Sequence, residues 1–494
     1  MKLKVRILSI ILIAVCVAGM FVYARSDRSI FEDRSFFSRS KTTVRIWYTD
    51  ENLTGYLQSK AVSYTQSSQY VRVEPVLVSG LEYLEAINKA SISEDSYPDL
   101  FIITNDSLEK AYLAGLAVEI ADGEDYFSDE MFPAAAVNSV MYKDKYIAYP
   151  LYFETSSLIY NKTYLEGMVR ERLMAESDDA LAVDGETSAQ ENASESENDT
   201  SDVESTISDE IVAAAVEESL PKTVADILKF AQSYNAPDQV EAVFKWDVTD
   251  IFYNYFFVGN YMNVGGKAGD DVSLIDIYNT DTITCMDIYQ QLNQFFAIDA
   301  DEIDYDTVVD DFINGKIVFT VATTDILSSI KSAQDAGECE YEFGVADMPA
   351  LTSEYDTRTM SVTDCIVVSG YSEHQSQAGA FARYLCNDNS SDFYTSTGKI
   401  AAHYGVKTNN SDIDNFLGVY ANSVPMPKTI ETSNLWMELE IAFTKIWNGE
   451  DANNTLKQVS ESIMTQVTGE VYQEEYIGNS AYIDLMEGLT EDSD

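Results

Sequence analysis

Short β-rich runs alternate along the chain with stretches whose apolar residues recur every three or four positions. Thr43 to Trp47, Val71 to Val78 and Leu100 to Ile103 read as strands, the last almost wholly apolar, as a strand covered on both faces of an α/β sheet has to be. Cys365-Ile366-Val367-Val368 is a similar run, in which Cys365 counts as a small buried hydrophobe. Thr223 to Ser233 carries Val224, Ile227, Leu228 and Ala231 on one helical face, opened by Thr223 and Asp226 as a variant capping box. Late in the chain Leu435, Trp436, Leu439, Ala442, Phe443, Ile446 and Trp447 repeat at helical spacing, as do Leu456, Val459, Ile463 and Val467. The pattern predicts an α/β fold with a helical end and no fixed repeat.

Two segments break this pattern. In Met1 to Ala24, Lys2, Lys4 and Arg6 precede an apolar stretch, Ile7 to Ala24, whose one clearly polar side chain is Ser9. That is an export signal, and it places the rest of the chain outside the cytoplasm. Val22-Tyr23-Ala24 resembles a cleavage site, yet the stretch also reaches the lower limit for spanning a bilayer, so secreted and membrane-anchored forms are both open. Cys16 allows a lipidated form, although Val15 stands where that signal calls for a small residue. Residues 25–42 then read as a linker. The second break, 175–219, holds 15 Asp and Glu, no Lys or Arg and no aromatic residue. Such a stretch buries too little apolar surface to offset its ordering entropy, which predicts a solvated acidic insertion with a transient helix at Ile207 to Val216.

Charge narrows the functional classes. The 494 residues carry 31 Lys and Arg against 83 Asp and Glu, a net charge of −52, which excludes a sequence-independent grip on nucleic acid. Outside the leader, Cys285, Cys339, Cys365 and Cys386 lack the close CxxC spacing of a structural zinc site. Asp299, Asp301, Asp304 and Asp306 resemble a calcium loop, but Ile303 and Asp304 occupy the fifth and sixth places, where an EF-hand needs a ligand and a glycine. They read instead as a solvated approach to a helix capped by Asp306 or Thr307. His374 and His403, the two histidines, accompany no G-x-S-x-G or H-E-x-x-H motif, so no catalytic residue, metal or cofactor is assigned.

Four blocks in order carry a family resemblance. Tyr97-Pro98-Asp99-Leu100-Phe101-Ile102-Ile103-Thr104-Asn105-Asp106, followed by Leu113-Ala114-Gly115-Leu116, is the first. Tyr142-Lys143-Asp144-Lys145-Tyr146-Ile147-Ala148-Tyr149-Pro150 with Glu154 and Tyr160-Asn161-Lys162 is the second. Asp311 to Phe319 and Phe343-Gly344-Val345-Ala346-Asp347-Met348-Pro349 complete the set. Together they resemble the extracytoplasmic solute-binding proteins of ABC importers, in the branch that includes maltodextrin-binding proteins.

That resemblance implies a two-lobed periplasmic-binding-protein-like clamp (type II) whose chain crosses the hinge more than once. One lobe would comprise 43–153 and 364–422, the other 154–363 and 423–494, with the acidic insertion hanging from the second. The implied function is capture of a carbohydrate-like solute between the lobes and delivery to an ABC permease, without catalysis. A sugar offers apolar C–H faces and a rim of hydroxyls, which aromatic planes and carboxylates complement. By position in the blocks the ligand residues are Asp106, Glu154, Asp250, Phe252 and Trp436, with Trp47 and Glu51 bounding a further segment after the first strand. For each there is a plainer role: Trp436 and Trp47 as core, Asp106 as a helix cap, Glu154 as a solvated carboxylate.

The chain also departs from the maltodextrin pattern. Asp325 and Ile103 stand where stacking aromatics are expected, and Glu440 where a basic residue is. Fewer planes and more carboxylates favour a smaller or more polar solute, a cationic one included. A membrane-tethered sensor or adhesin with the same clamp is the main alternative, and an exported glycoside hydrolase the lesser one, because 83 acids supply carboxylate pairs by chance.

Overall fold

The computed structural model describes residues 41–93, 97–185, 207–388, 392–405 and 409–478, with 483 and 485. The leader Met1 to Ala24, the linker before residue 41 and positions 186–206 of the acidic stretch lie outside the described residues.

Among the described residues, twelve strands follow in chain order: β1 (Thr42–Tyr48), β2 (Val71–Leu77), β3 (Leu100–Thr104), β4 (Met141–Tyr142), β5 (Lys145–Tyr146), β6 (Tyr149–Asn161), β7 (Ala242–Phe244), β8 (Ile317–Thr323), β9 (Phe343–Ala346), β10 (Met360–Val368), β11 (Ile400–Ala401) and β12 (Val424–Pro425). Ten of them join in one curled sheet of order β2-β1-β3-β10-β6-β8-β7, with β11 and β9 on β6 and β12 on β10. β2, β1 and β3 run parallel, so the loops after their carboxyl ends gather on one edge, the usual place for a ligand crevice in an open α/β sheet.

The strand that matters most is β6. Its residues 149–155 pair with β10, and its residues 156–161 pair with β8 and β9. One 13-residue strand thus belongs to both halves of the molecule, and the change of partner falls between Thr155 and Ser156, next to Glu154. β10 meets β6 with a register shift between Asp364 and Cys365. Both crossing strands therefore carry a carboxylate where the chain passes from one half to the other.

Two apolar cores flank this crossing. The first is built on β1, β3 and β10 (Val44, Ile46, Leu100, Ile366), the second around Trp246, Tyr289, Phe443 and Trp447. Val308, Phe312, Ile326 and Leu327, expected in the second half, join the first core instead. Helix Ser411–Asn422 contributes to that continuity. It contributes Ile413, Phe416 and Tyr420 to the first core, while its Asp412 and Asn415 hydrogen-bond both backbone groups of Val345 on β9.

Local signals explain most helix ends. Thr223 and Asp226 form the reciprocal capping box that opens helix Val224–Ser233. The helix Tyr305–Ile313 corrects an expectation: Asp304, not Asp306 or Thr307, is its cap, accepting the Thr307 amide at 2.7 Å. Asp304 still has extended backbone, whereas Asp306 already lies inside the first turn. The ends of the acidic stretch are also corrected. Helix Lys162–Gly185 continues into it, and helix Asp209–Ser219, capped by Ser208, buries Val212 and Val216 in the second core. An i, i+4 valine pair is apolar enough to dock one helix face while the acids stay in water. Cys285, Cys339, Cys365 and Cys386 are all buried and unpaired.

Candidate functional site

At the crossing, Glu154 is gripped from two sides. Thr324, just past β8, donates its hydroxyl to Glu154 Oε2 at 2.8 Å, and Lys399 Nζ donates to Glu154 Oε1 at 2.8 Å. Asp50 Oδ2 lies 4.0 Å from the same ammonium. Asp50 is fixed by capping the 3-10 turn Glu51–Leu53, which leaves Glu51 exposed beside it. Burial works against the charge on Lys399, but Glu154, with Asp50 and Asp364 behind it, holds the ammonium above its ordinary range.

Asp364 pairs across the sheet with Thr104 on β3 and Tyr152 on β6. Burial first, and the Glu154 charge second, push its carboxyl up to about 7. It lines a cavity of about 390 Å³ together with Thr49, Gly80, Glu82, Tyr83 and Thr104, at the carboxyl ends of the parallel strands. Asp106 lies two residues beyond Thr104 and accepts that threonine's hydroxyl. Its neighbour Asn105 is fully buried, its carboxamide joining the Thr363 amide at 2.9 Å to the Met426 carbonyl at 2.8 Å.

A second group lies across the crossing. Ser156, two residues past Glu154, donates to the Phe252 carbonyl at 3.3 Å. Asp250 caps that turn by accepting the Phe252 amide at 2.7 Å. The rings of Phe252 and Trp436 sit 5.9 Å apart at 45°. Trp436 is half-buried at the head of helix Leu435–Trp447, so it packs on the apolar stripe and still keeps exposed ring surface. Its indole lies near Glu440, one turn on, and favours the charged form of that carboxyl. Burial raises both Asp250 and Glu440, and each feels further carboxylates: Asp247 acts on both, and Asp250 acts on Glu440. Nearby, Tyr253 stacks on Tyr305 at 4.4 Å and 11°, and the Tyr305 hydroxyl donates to Asp325 at 2.8 Å, so Asp325 meets a tyrosine although it is not itself aromatic.

Of the residues expected from sequence, Glu154 lies at the crossing, and Asp250, Phe252 and Trp436 form one cluster joined to it through Ser156. Asp106 sits just past the carboxyl end of β3 and Glu51 in the loop after β1, on the same edge of the sheet. Trp47 packs half-buried on the first core, beside Val76 and Phe101 in the sheet. Lys399, Asp364 and Thr324 were missed. Only Lys399 left a trace, a lone cation after Thr397-Gly398 and before an apolar pair in a chain short of cations. A larger hollow of about 830 Å³ lies between helices Tyr305–Ile313 and Ile326–Ala336, but it shares only Tyr305 and Asp325 with the crossing, so volume alone does not locate the site. Among the described residues no group of His, Cys, Asp and Glu has the arrangement of a metal site.

Residues 63–414 match the profile of a family described as bacterial extracellular solute-binding protein. Among solved structures, the fold resembles an extracellular solute-binding protein from Staphylococcus aureus in complex with maltose, with a TM-score of 0.65 at 18% identity over 87% of this chain and 99% of that one. A cyclo/maltodextrin-binding protein complexed with maltotetraose gives a TM-score of 0.66 at 18% identity, covering 88% of this chain and 100% of the other. A maltose-binding periplasmic protein from Listeria monocytogenes gives 0.65 at 18% identity, with coverage of 88% and 100%. No curated protein matches the chain.

Proposed function

Because the chain belongs to the bacterial extracellular solute-binding proteins, we propose that it captures a carbohydrate-like solute between its two halves, outside the cytoplasm, and hands it to an ABC permease without chemical change. The observation that carries this reading is the Phe252 and Trp436 pair, flanked by Asp250 and Glu440 and joined through Ser156 to Glu154 at the crossing. Rings offer planes for the C–H faces of a sugar, and carboxylates accept its hydroxyl protons. The maltose and maltotetraose in the related structures support the same class of ligand. Solute held on both sides of the crossing favours the closed form by its differential affinity, and the permease reads that form. The leader, cleaved or kept as an anchor, delivers the protein to that permease.

A thermal-shift panel of maltose, maltotetraose, glucosamine and glucuronate tests this. A bound sugar raises the melting temperature by mass action, and the rise shrinks in Asp106→Ala and Trp436→Ala. Glucuronate gives no rise, because its carboxylate meets the carboxylates of the cleft. A panel in which no sugar shifts the transition contradicts the carbohydrate reading. The mutual repulsion of Asp250 and Glu440 favours a second reading, a solute carrying a cation, which glucosamine outperforming both neutral sugars would support.

A further inference from the structure

Lys428 is fully buried on the linker that follows β12, away from the cleft carboxylates. Its Nζ donates to three main-chain carbonyls: Asn138 at 3.0 Å, Met141 at 2.8 Å and Ala268 at 2.5 Å. The first two flank Val140 and Tyr142 of the first core, and Ala268 belongs to the loop between Val264 and Ile277 of the second. All three ammonium protons are thereby spent on joining the two halves. The loop is held closely on the linker as well. The Lys428 amide donates to the Gly269 carbonyl at 2.8 Å, Lys143 N donates to Asp270 Oδ2 at 2.5 Å, and Gly269, at φ +64°, has no room for a Cβ because Pro427 Cα would lie 2.8 Å from it.

Hydrogen bonds weaken steeply with an ångström of displacement or a tilt, so a ring of three carbonyls drawn from both halves fits one relative placement of them. Burial lowers the ammonium to about 8, with Asp270 from the loop opposing that shift and Cys365 from β10 adding a smaller contribution in the same sense as Asp270. At neutral pH the charge and all three donors are therefore kept. The remaining nearby acid, Glu109, is engaged by Tyr142 and the Ile430 amide. None of the residues around Nζ belongs to the group at the crossing, and any rotation of one half against the other would separate Ala268 from Asn138 and Met141.

We propose that Lys428 is an interlobe tie that fixes the relative placement of the two halves and opposes rotation between them. The rotation rests on the clamp reading above, but the tie itself is measured without ligand. Small-angle scattering of the full chain without sugar is compared for wild type and Lys428→Met, which keeps the side-chain length and removes every donor. The expected result is a changed radius of gyration in the variant. Should the folded variant superpose on wild type, the tie is refuted. Gly269→Ala is the second variant, since its Cβ pushes the loop off Pro427 while leaving Lys428 in place, and a change in the same direction is expected. If wild type compacts with sugar while both variants match wild type without sugar, only the tie fails. If the variants shift but no sugar compacts wild type, the tie stands and the carbohydrate reading fails.

Discussion

The two sides of the crossing handle carboxylates in opposite ways. On one side Glu154 and Asp50 face Lys399, and the charges hold one another in place without a ligand. On the other, Asp250, Asp247 and Glu440 lie together beside Phe252 and Trp436, and burial and mutual repulsion raise both Asp250 and Glu440. The first side is pre-organised. The second is electrostatically unfavourable when empty, so hydroxyl or ammonium donors from a solute relieve it. In the proposed clamp the crossing is held by protein charges, and the side that carries the rings is left for cargo to complete.

Breaking the recognition side has the largest effect on binding. Trp436→Ala is expected to weaken the best-bound sugar about 30-fold, as loss of a central aromatic anchor does. Calorimetric titration reads it, and an affinity within two-fold of wild type would move the cargo surface elsewhere. Glu154→Gln acts on the other side. It leaves the Lys399 ammonium facing a neutral amide in place of its 2.8 Å carboxylate; with both side chains about one-fifth exposed (19% and 23%), the expected cost is about 1–2 kcal/mol in chemical denaturation. The double variant Glu154→Gln with Lys399→Met should recover part of that loss, because the unpaired ammonium is gone although Asp50 then lacks its cation. If the single and double variants are equally unstable, the pair is not what fixes the crossing.

A smaller effect comes from Asp364, whose carboxyl at about 7 lies above its unfolded value. Its protonated form is favoured by folding, so the stability it contributes is fully present below the unfolded value and is lost as pH rises through about 7. Asp364→Asn flattens that dependence in urea unfolding between pH 5 and 8. Closure on a neutral sugar dries the cleft further, so affinity falls by a few-fold over the same rise in pH. A cationic solute reverses the sign, and this distinguishes the two readings of the recognition side.

Part of the fold and of the candidate site was legible in the sequence because Asp106 and Glu154 lie on or just past strands inside contiguous blocks. Asp106 follows the apolar strand Leu100–Thr104 and Glu154 lies mid-run in Tyr149–Asn161, and the family resemblance of the blocks around them is what singled out both as candidates. Lys399 was not legible, since it meets Glu154 across 245 residues of chain and only the pairing of β11 with β6 brings them together. Lys428 was invisible for a different reason: its partners are main-chain carbonyls, which carry no residue identity. The helix at Asp209–Ser219 was underestimated because its acids outnumber its two buried valines, although docking depends on the valines.

The most direct test of the clamp is small-angle scattering of the wild-type protein, empty and saturated with the best-bound sugar of the panel. The account predicts a smaller radius of gyration with sugar, as the halves close about β6 and β10. Identical profiles at demonstrated saturation would contradict it.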